Sequence, residues 1–327
     1  MLLYDCAMKR GAREPLIASG GESAGGLASG YRKGVAECPP YEPPFLQDAP
    51  LDATVWTHPS APLATHIHSG AEVAVVLEGE ERRFYGELSG ERSFRLLPGD
   101  VSLIPMWEPH GWEVVRENTK VVAIHFLPEF FGTEMIGHVS WLSGFAAAPD
   151  ERPRVRGRSM RRQVMAIARE LWTEIEEQQY AWVTAVRASL LRLLAILYRS
   201  WEHIENGAAV ARSRLHPNSL ARIMPVITAL QQQPGRVVTV SEAASLCNLG
   251  RRQFHRVFSQ AMGVGLQRFC LRARLAHAER LLTATALPIE TVARESGFFD
   301  LAHLHRHFVR HYGRTPGAFR RQSQGAE

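Results

Sequence analysis

One short helical unit is written twice near the C-terminus, and the repeat constrains the fold more than any other feature. The first copy is VSEAASLCNLGRRQFHRVFSQAMG, residues 240–263, and the second is PIETVARESGFFDLAHLHRHFVRHYG, residues 288–313. Each reads as a short helix, a tight turn, and a second helix that ends at a glycine. In the first copy Ser241 suits an N-cap and Glu242 adds charge to the first turn. Asn248 stands where a left-handed residue must end the helix. Leu249 and Phe254 fill the angle between the two helices, and Phe254, Val257 and Phe258 form the inner side of the second. In the second copy Pro288 suits the first helical position, Gly297 supplies the left-handed turn, and Asp300 caps the second helix. Leu304 and Phe308 are its inner side. Two short helices around a sharp turn make a helix-turn-helix, whose second helix enters the major groove of DNA.

The stretch between the copies, GLQRFCLRARLAHAERLL (residues 265–282), predicts one helix of ~26 Å at ~1.5 Å per residue. A spacer of that order sets two recognition helices on successive major-groove faces. The charge agrees. From His216 onward there are 15 Arg and no Lys against 6 acidic residues, a net of +9 in a chain of net +5. The residues before it are slightly acidic, so a polyanion partner is expected for the last third alone.

The segment resembles the DNA-binding domain of AraC/XylS-family transcription regulators. RLAHAERLL (274–282), GFFDLAHLHRHFVRHYG (297–313) and TPGAFRRQ (315–322) carry the likeness. The first copy departs from the family in Gly250, where a Ser or Thr cap is usual, and in Asn248, where Gly is frequent. The resemblance implies that Arg252, His255 and Arg256 in the first unit face the bases. In the second unit it implies Leu301, Ala302, His303, His305 and Arg306. The first unit is expected to carry more of the hydrogen-bonded readout, the second more apolar contact.

Residues 1–49 hold Gly-Gly runs and CPPYEPP with no sustained period, which predicts a flexible leader. Residues 50–204 form a second domain. AEVAVVLEG, SFRLLPGDVSLIP and TKVVAIHF read as short β-branched strands, with turns at Gly79, Gly90, Pro98-Gly99 and Glu117-Asn118. That pattern predicts an antiparallel sandwich or barrel. From Ser159 to Ile204 the period becomes helical, with a break at residues 176–179. The two helices pack on their own sheet, form a dimer contact, or do both. Residues 205–217 predict a linker and residues 218–323 the DNA-binding domain; Pro225 kinks the first helix there or marks its first turn. The fold class expected is therefore multidomain α+β, a cupin-like β-sandwich or barrel with two helices followed by an all-α double helix-turn-helix.

His66 and His68 share one face of a strand, ~6.5–7 Å apart, and Glu72 follows them. With His110 they would make a divalent metal site if they converge inside a barrel. The spacing resembles the two cupin motifs, HxHx3Ex6G at 66–79 and a Gly–Pro–His pattern at 99–110. Trp107 stands where cupin enzymes commonly have Gly. His66, His68, Glu72, Trp107 and His110 are thus the effector-binding set, and His66, His68, Glu72 and His110 the metal set if a metal is held. Trp56, Trp112 and Arg82 or Arg95 are further pocket-lining residues, while His58 and His125 are expected to be ordinary residues of the fold.

No run of about 18 apolar residues exists, which argues against a membrane span. The N-terminus has no basic-then-apolar signal pattern, and Cys6, Cys38, Cys247 and Cys270 show no CxxC spacing. A reduced, cytoplasmic protein is expected. The reading that follows is a non-enzymatic, sequence-specific transcription regulator, an activator by resemblance, controlled by a small-molecule effector. Its expected partners are double-stranded promoter DNA, RNA polymerase through the family resemblance, and a second copy of itself. It requires no cofactor. The alternative is a metal-dependent cupin enzyme fused to a DNA-binding domain, which would need a divalent metal.

Overall fold

The computed structural model describes residues 51–58, 64–86, 92–132, 134–137, 139–204 and 219–323. The expected leader and the expected linker lie outside these residues, as do Gly90 and the side chains of Trp56 and His58. The described part is mixed α and β, with a sheet and helices first and a helical region after them.

Strands β1 (Leu51–His58), β2 (Ala64–His66), β3 (Ala71–Tyr85), β4 (Arg92–Leu96), β5 (Val101–Ile104) and β6 (His110–Phe126) form one antiparallel sheet. Its spine is the long β3–β6 pair, and each half of the pair has its own flanking strands. Around Ala71–Val75 the spine is edged by β1 and β5, and around Glu81–Tyr85 by β2 and β4. Gly79 and Glu117-Asn118, expected as turns, are corrected here to irregularities inside β3 and β6. Gly79 has φ +79° and Asn118 φ +60°, and the register shifts between Val76 and Glu81. A Cβ on Gly79 would lie 2.3 Å from Thr119 Oγ1 and 2.6 Å from Thr119 Cα, so the strands touch where the glycine sits. A glycine inside a strand marks a bulge or a close backbone approach, and here it marks both.

The bulges fold the spine on itself. A straight strand would separate residues 72 and 83 by ~36 Å. Arg83 Nη1 is nevertheless 3.2 Å from Glu72 Oε1. Glu72, Ala74 and Val76 therefore point inward between the two halves, above a small apolar cluster with Leu96, Val121 and Ala123. Val73, Val75, Val122 and Ile124 point outward into the main core.

That outer face is covered by helices. After a small hairpin, β7 (Met135–Ile136) and β8 (Val139–Ser140), come α1 (Ser143–Ala146), α2 (Gly157–Glu177) and α3 (Trp182–Ile204). Val164, Ile167, Ala168 and Leu171 of α2 and Leu190, Leu193, Leu194 and Leu197 of α3 are fully buried in the same core as Val73 and Val75. The expected packing of the helix pair on its own sheet is what the fold adopts. Gln178, in the left-handed region at φ +46°, closes α2 within the expected break.

The C-terminal helices are α4 (Ser219–Gln232), α5 (Val240–Leu246), α6 (Arg251–Met262), α7 (Leu266–Ala284), α8 (Ile289–Glu295), α9 (Leu301–Tyr312) and α10 (Pro316–Ser323). Pro225 lies inside α4 and does not mark its first turn. The cap of α5 is Thr239 rather than Ser241. Thr239 Oγ1 accepts the Glu242 N–H at 3.1 Å, and Glu242 Oε2 accepts the Thr239 N–H at 2.9 Å. This reciprocal capping box satisfies two helix-end donors, which Ser241 could not do two residues later. Pro288 occupies the cap of α8 instead of its first helical position. Asp300 caps α9 as expected, its carboxylate accepting the His303 N–H at 2.6 Å.

Candidate nucleic-acid interface and buried histidine cluster

The two turns match bond for bond at an offset of 49 residues. Leu249 N–H donates to Ala244 O at 2.9 Å, and Phe298 N–H donates to Ala293 O at 2.9 Å. Asn248 N–H donates to Ser245 O at 3.0 Å, and Gly297 N–H to Arg294 O at 3.0 Å. Asn248 and Gly297 have φ +51° and +77°, the left-handed geometry that each turn requires. The connecting helix α7 has 19 residues, a length of ~28 Å. Tyr312 Oη donates to buried Glu279 at 2.6 Å and so ties α9 to that spacer.

Helix α6 buries Phe254, Val257 and Phe258 and exposes Arg251, Arg252, Gln253, His255 and Arg256. Helix α9 buries Leu304 and Phe308 and exposes Leu301, Ala302, His305, Arg306 and Arg310. Among the described residues, Arg251, Arg252, Arg256 and Arg306 form no ion pair, which leaves four guanidinium groups available to an anionic partner. His303, expected on the base-facing side, is half-buried. Its ring lies 5.5 Å from that of Phe298 and 4.8 Å from that of His307. The helical period alone put it on the outer face; its contacts with the Phe298 and His307 rings cover one side of it.

In the N-terminal sheet the folded spine brings His66, His68, Glu72 and His110 together. One donor atom from each lies within 4.8 Å of the others, and all four residues are buried. The Nε2 atoms of His68 and His110 approach Glu72 Oε2 at 3.1 and 3.2 Å. Their Nδ1 atoms face backbone carbonyls, of Gly70 at 2.9 Å and Glu108 at 2.8 Å. His66 Nδ1 has no hydrogen-bond partner among the described residues. Burial, then the neighbouring His110 and His68, holds the His66 imidazole well below its ordinary pKa; burial also lowers that of His110, against the raising effect of Glu72. Burial by itself would raise the pKa of Glu72. The imidazoles of His110, His125 and His68, with Arg83, outweigh it and keep the carboxylate ionised well below its usual range.

Trp107 is buried beside this cluster with φ +57°, a left-handed conformation unusual for a bulky residue. Its backbone N–H donates to His68 O at 3.0 Å. The neighbouring Met106 Sδ lies 3.9 Å from Gln231 Nε2 on α4, so the cluster's loop touches the helical region. A second route runs through buried Arg152, which pairs with Glu108 at 2.6 Å and donates to Ala147 O at 3.1 Å. The adjacent Ala146 carbonyl sits against Gly263, the C-cap of α6; a Cβ there would lie 2.4 Å from it.

A family model described as a helix-turn-helix domain matches residues 243–322. The RCS-specific HTH-type transcriptional activator RclR of Escherichia coli K12 is 30% identical over 106 residues, 32% of this chain and 36% of that protein. The alignment thus spans about a third of that relative's length. The HTH-type transcriptional activator RhaR of Escherichia coli O139:H28 is 23% identical over 280 residues, 84% of this chain and 93% of that protein. Residues 243–322 are thus similar to the helix-turn-helix domains of HTH-type transcriptional regulators. Its fold is like that of ToxT from Vibrio cholerae, with a TM-score of 0.51 at 10% identity over 83% of this chain and 98% of that one.

Three side chains fall elsewhere than the sequence suggests. His125, expected to be an ordinary fold residue, joins the cluster with Nε2 3.4 Å from Glu72 Oε2. It pairs with Glu72 in the β3–β6 register and so lies on the same inward face. Arg82 and Arg95, expected as pocket residues, are exposed in ion pairs with Glu113 and Glu80. Arg83 between them is the buried one, held by Glu72 and by Glu81 at 2.9 Å, with its guanidinium 5.7 Å from the Trp112 ring. Burial would loosen its proton, but the carboxylates of Glu81 and Glu72 raise its pKa above the ordinary value. Strand alternation around Arg83 was the available signal; the bulges at Gly79 hid its phase.

Proposed function

We propose that the chain is a sequence-specific, DNA-binding transcription regulator, an activator, whose N-terminal region is a cupin-like effector domain. The duplicated turn carrying unpaired arginines on both recognition helices supports this reading most directly. Arg252, His255 and Arg256 read bases from the first unit, and Leu301, Ala302, His305 and Arg306 from the second, with His303 in a supporting place under the helix. Guanidinium groups that face the groove bind guanine O6 and N7, and those beside it bind phosphate. The effector site is organised on His66, His68, Glu72, Trp107 and His110. The contacts of Met106 with Gln231 and of Ala146 with Gly263 give the effector two places to bias the helical region. Such bias requires different effector affinity in two arrangements of the protein. RNA polymerase, a second copy of the chain and a cytoplasmic location complete the proposal; no helix among the described residues is long and apolar enough to cross a membrane.

In vitro selection from random duplex DNA with the full chain tests this reading at a stated salt concentration. One enriched motif with two half-sites is expected. Arg256→Ala and Arg306→Ala should each weaken binding to it by ~1–3 kcal/mol, measured by fluorescence anisotropy. Undiminished affinity in both variants would remove the assigned face.

One observation favours a cation as part of the effector site. A neutral imidazole has a single N–H. The rings of His68 and His110 each face two oxygen acceptors, a carbonyl at Nδ1 and Glu72 at Nε2. Burial opposes a second proton on His110. The donor set of three imidazoles and a carboxylate, with two rings oriented by carbonyls, therefore fits a divalent cation held by His66, His68, Glu72 and His110. Such a cation would supply Lewis acidity or anchor an anionic effector there. Cobalt(II) titration followed by its visible absorption should give about one equivalent bound per chain, with affinity reduced more than about tenfold in His68→Ala. Equal cobalt binding by wild type and variant would rule the cluster out.

A further inference from the structure

The two helix-turn-helix units share one set of turn hydrogen bonds, yet they are not the same length. Leu249 and Phe298 correspond, each bonded to an alanine five residues back. After Leu249 one residue, Gly250, leads into α6. After Phe298 there are two, Phe299 and the cap Asp300. The second unit therefore carries one additional residue between turn and recognition helix. Were that residue there for packing, its ring would be covered, as Phe298 is. Phe298 is 4% exposed, whereas Phe299 is 93% exposed.

The surroundings of Phe299 define what it suits. Leu301 is 43% exposed and Ala302 is exposed beside it. The Asp300 carboxylate is engaged with the His303 N–H. The leading edge of α9 is thus apolar until His305 and Arg306, whereas α6 leads with Arg251 and Arg252. The N-terminal residues of a recognition helix meet base edges in the major groove. There the one apolar group a base pair displays is the C5 methyl of thymine.

We propose that Phe299 is a specificity-determining residue that packs against thymine methyl groups in the half-site read by α9. This rests on the DNA-binding reading above. The Phe299 ring leaves water on binding, and Leu301 and Ala302 complete an apolar surface around the methyls. The second half-site then selects thymine through shape and burial, and the first selects through guanidinium hydrogen bonds.

The test uses the full chain and the DNA enriched from a random duplex library. Affinities of wild type, Phe299→Ala and Arg256→Ala are measured on that DNA and on copies carrying deoxyuridine for thymine in one half-site at a time. In one half-site, deoxyuridine should weaken wild type about fourfold per contacted methyl, the effect of exposing one buried carbon. The same replacement should leave Phe299→Ala unchanged, and Phe299→Ala should bind unmodified DNA more weakly than wild type does. Insertion of the ring between base pairs would make Phe299→Ala weak but deoxyuridine harmless, and would overturn the proposal. Enriched DNA that Arg256→Ala binds weakly and Phe299→Ala binds normally would overturn it while leaving the DNA-binding reading intact. No enrichment at all would overturn both. Because Phe299 is on the surface, its variant should keep the wild-type melting temperature.

Discussion

Arg83→Met should lower the stability of the full chain by ~3–5 kcal/mol, read by urea denaturation. Arg83 is the buried cation between two buried carboxylates, Glu72 at 3.2 Å and Glu81 at 2.9 Å. Methionine fills the space of the aliphatic stem but not that of the guanidinium, so the loss combines the stranded charge with a small cavity. Glu72 keeps its histidine neighbours, while Glu81 loses the partner that both Nε and Nη2 of Arg83 supply. The double variant Arg83→Met/Glu81→Gln should therefore recover part of the stability, because it removes the stranded charge. Removing one partner of a buried pair costs more than removing both. A loss under ~1 kcal/mol in the single variant would show that water reaches these carboxylates.

Gly297→Ala should destabilise the second helix-turn-helix unit by ~2–5 kcal/mol, combining left-handed strain with overpacking. Gly297 has φ +77°, and a Cβ there would lie 2.0 Å from the Gly235 carbonyl oxygen. Gly235 is equally tight: its Cβ would lie 2.3 Å from the Glu295 carbonyl oxygen. The turn of the second unit thus presses on the chain between α4 and α5, and neither backbone can retreat without opening the core. Gly250→Ser is the contrasting variant. Gly250 has φ −68° and open space around it, so a serine should cap α6 and stabilise by a few tenths of a kcal/mol. Thermal unfolding of both variants checks the pair. If Gly297→Ala melts like wild type, the contact with Gly235 is not a constraint in solution.

The helical third was largely legible in the sequence. Its signals are local: an apolar residue every third or fourth position, Asn248 or Gly297 at a left-handed turn, Asp300 one residue before α9. All act within about five residues, so the chain displays them in order. The Thr239 cap was missed for a local reason too, since Ser241 and Thr239 are both good caps and the reciprocal bond to Glu242 decided between them.

The sheet was legible as strands but not as a shape. Gly79 and Asn118 carry the left-handed signature of turns, and only the pairing of β3 with β6 shows that both strands continue through them, bent rather than ended. That bend places Arg83 rather than Arg82 or Arg95 against Glu72, and it adds His125 to the histidines that motif spacing had already grouped.

The sequence by itself determined that two helix-turn-helix units stand at the ends of one stiff helix, and that three histidines and a glutamate share one motif; the structure corrects the expected shared strand, since β2 ends at His66 and His68 lies in the loop before β3. Tertiary structure alone decided which arginine is buried, that His303 turns inward while Phe299 turns out, and that Gly235 meets Gly297. The division follows from range. Helix caps and turns are fixed by bonds between residues a few positions apart. Burial and charge pairing depend on partners up to dozens of positions away, whose approach is set by strand register and close packing.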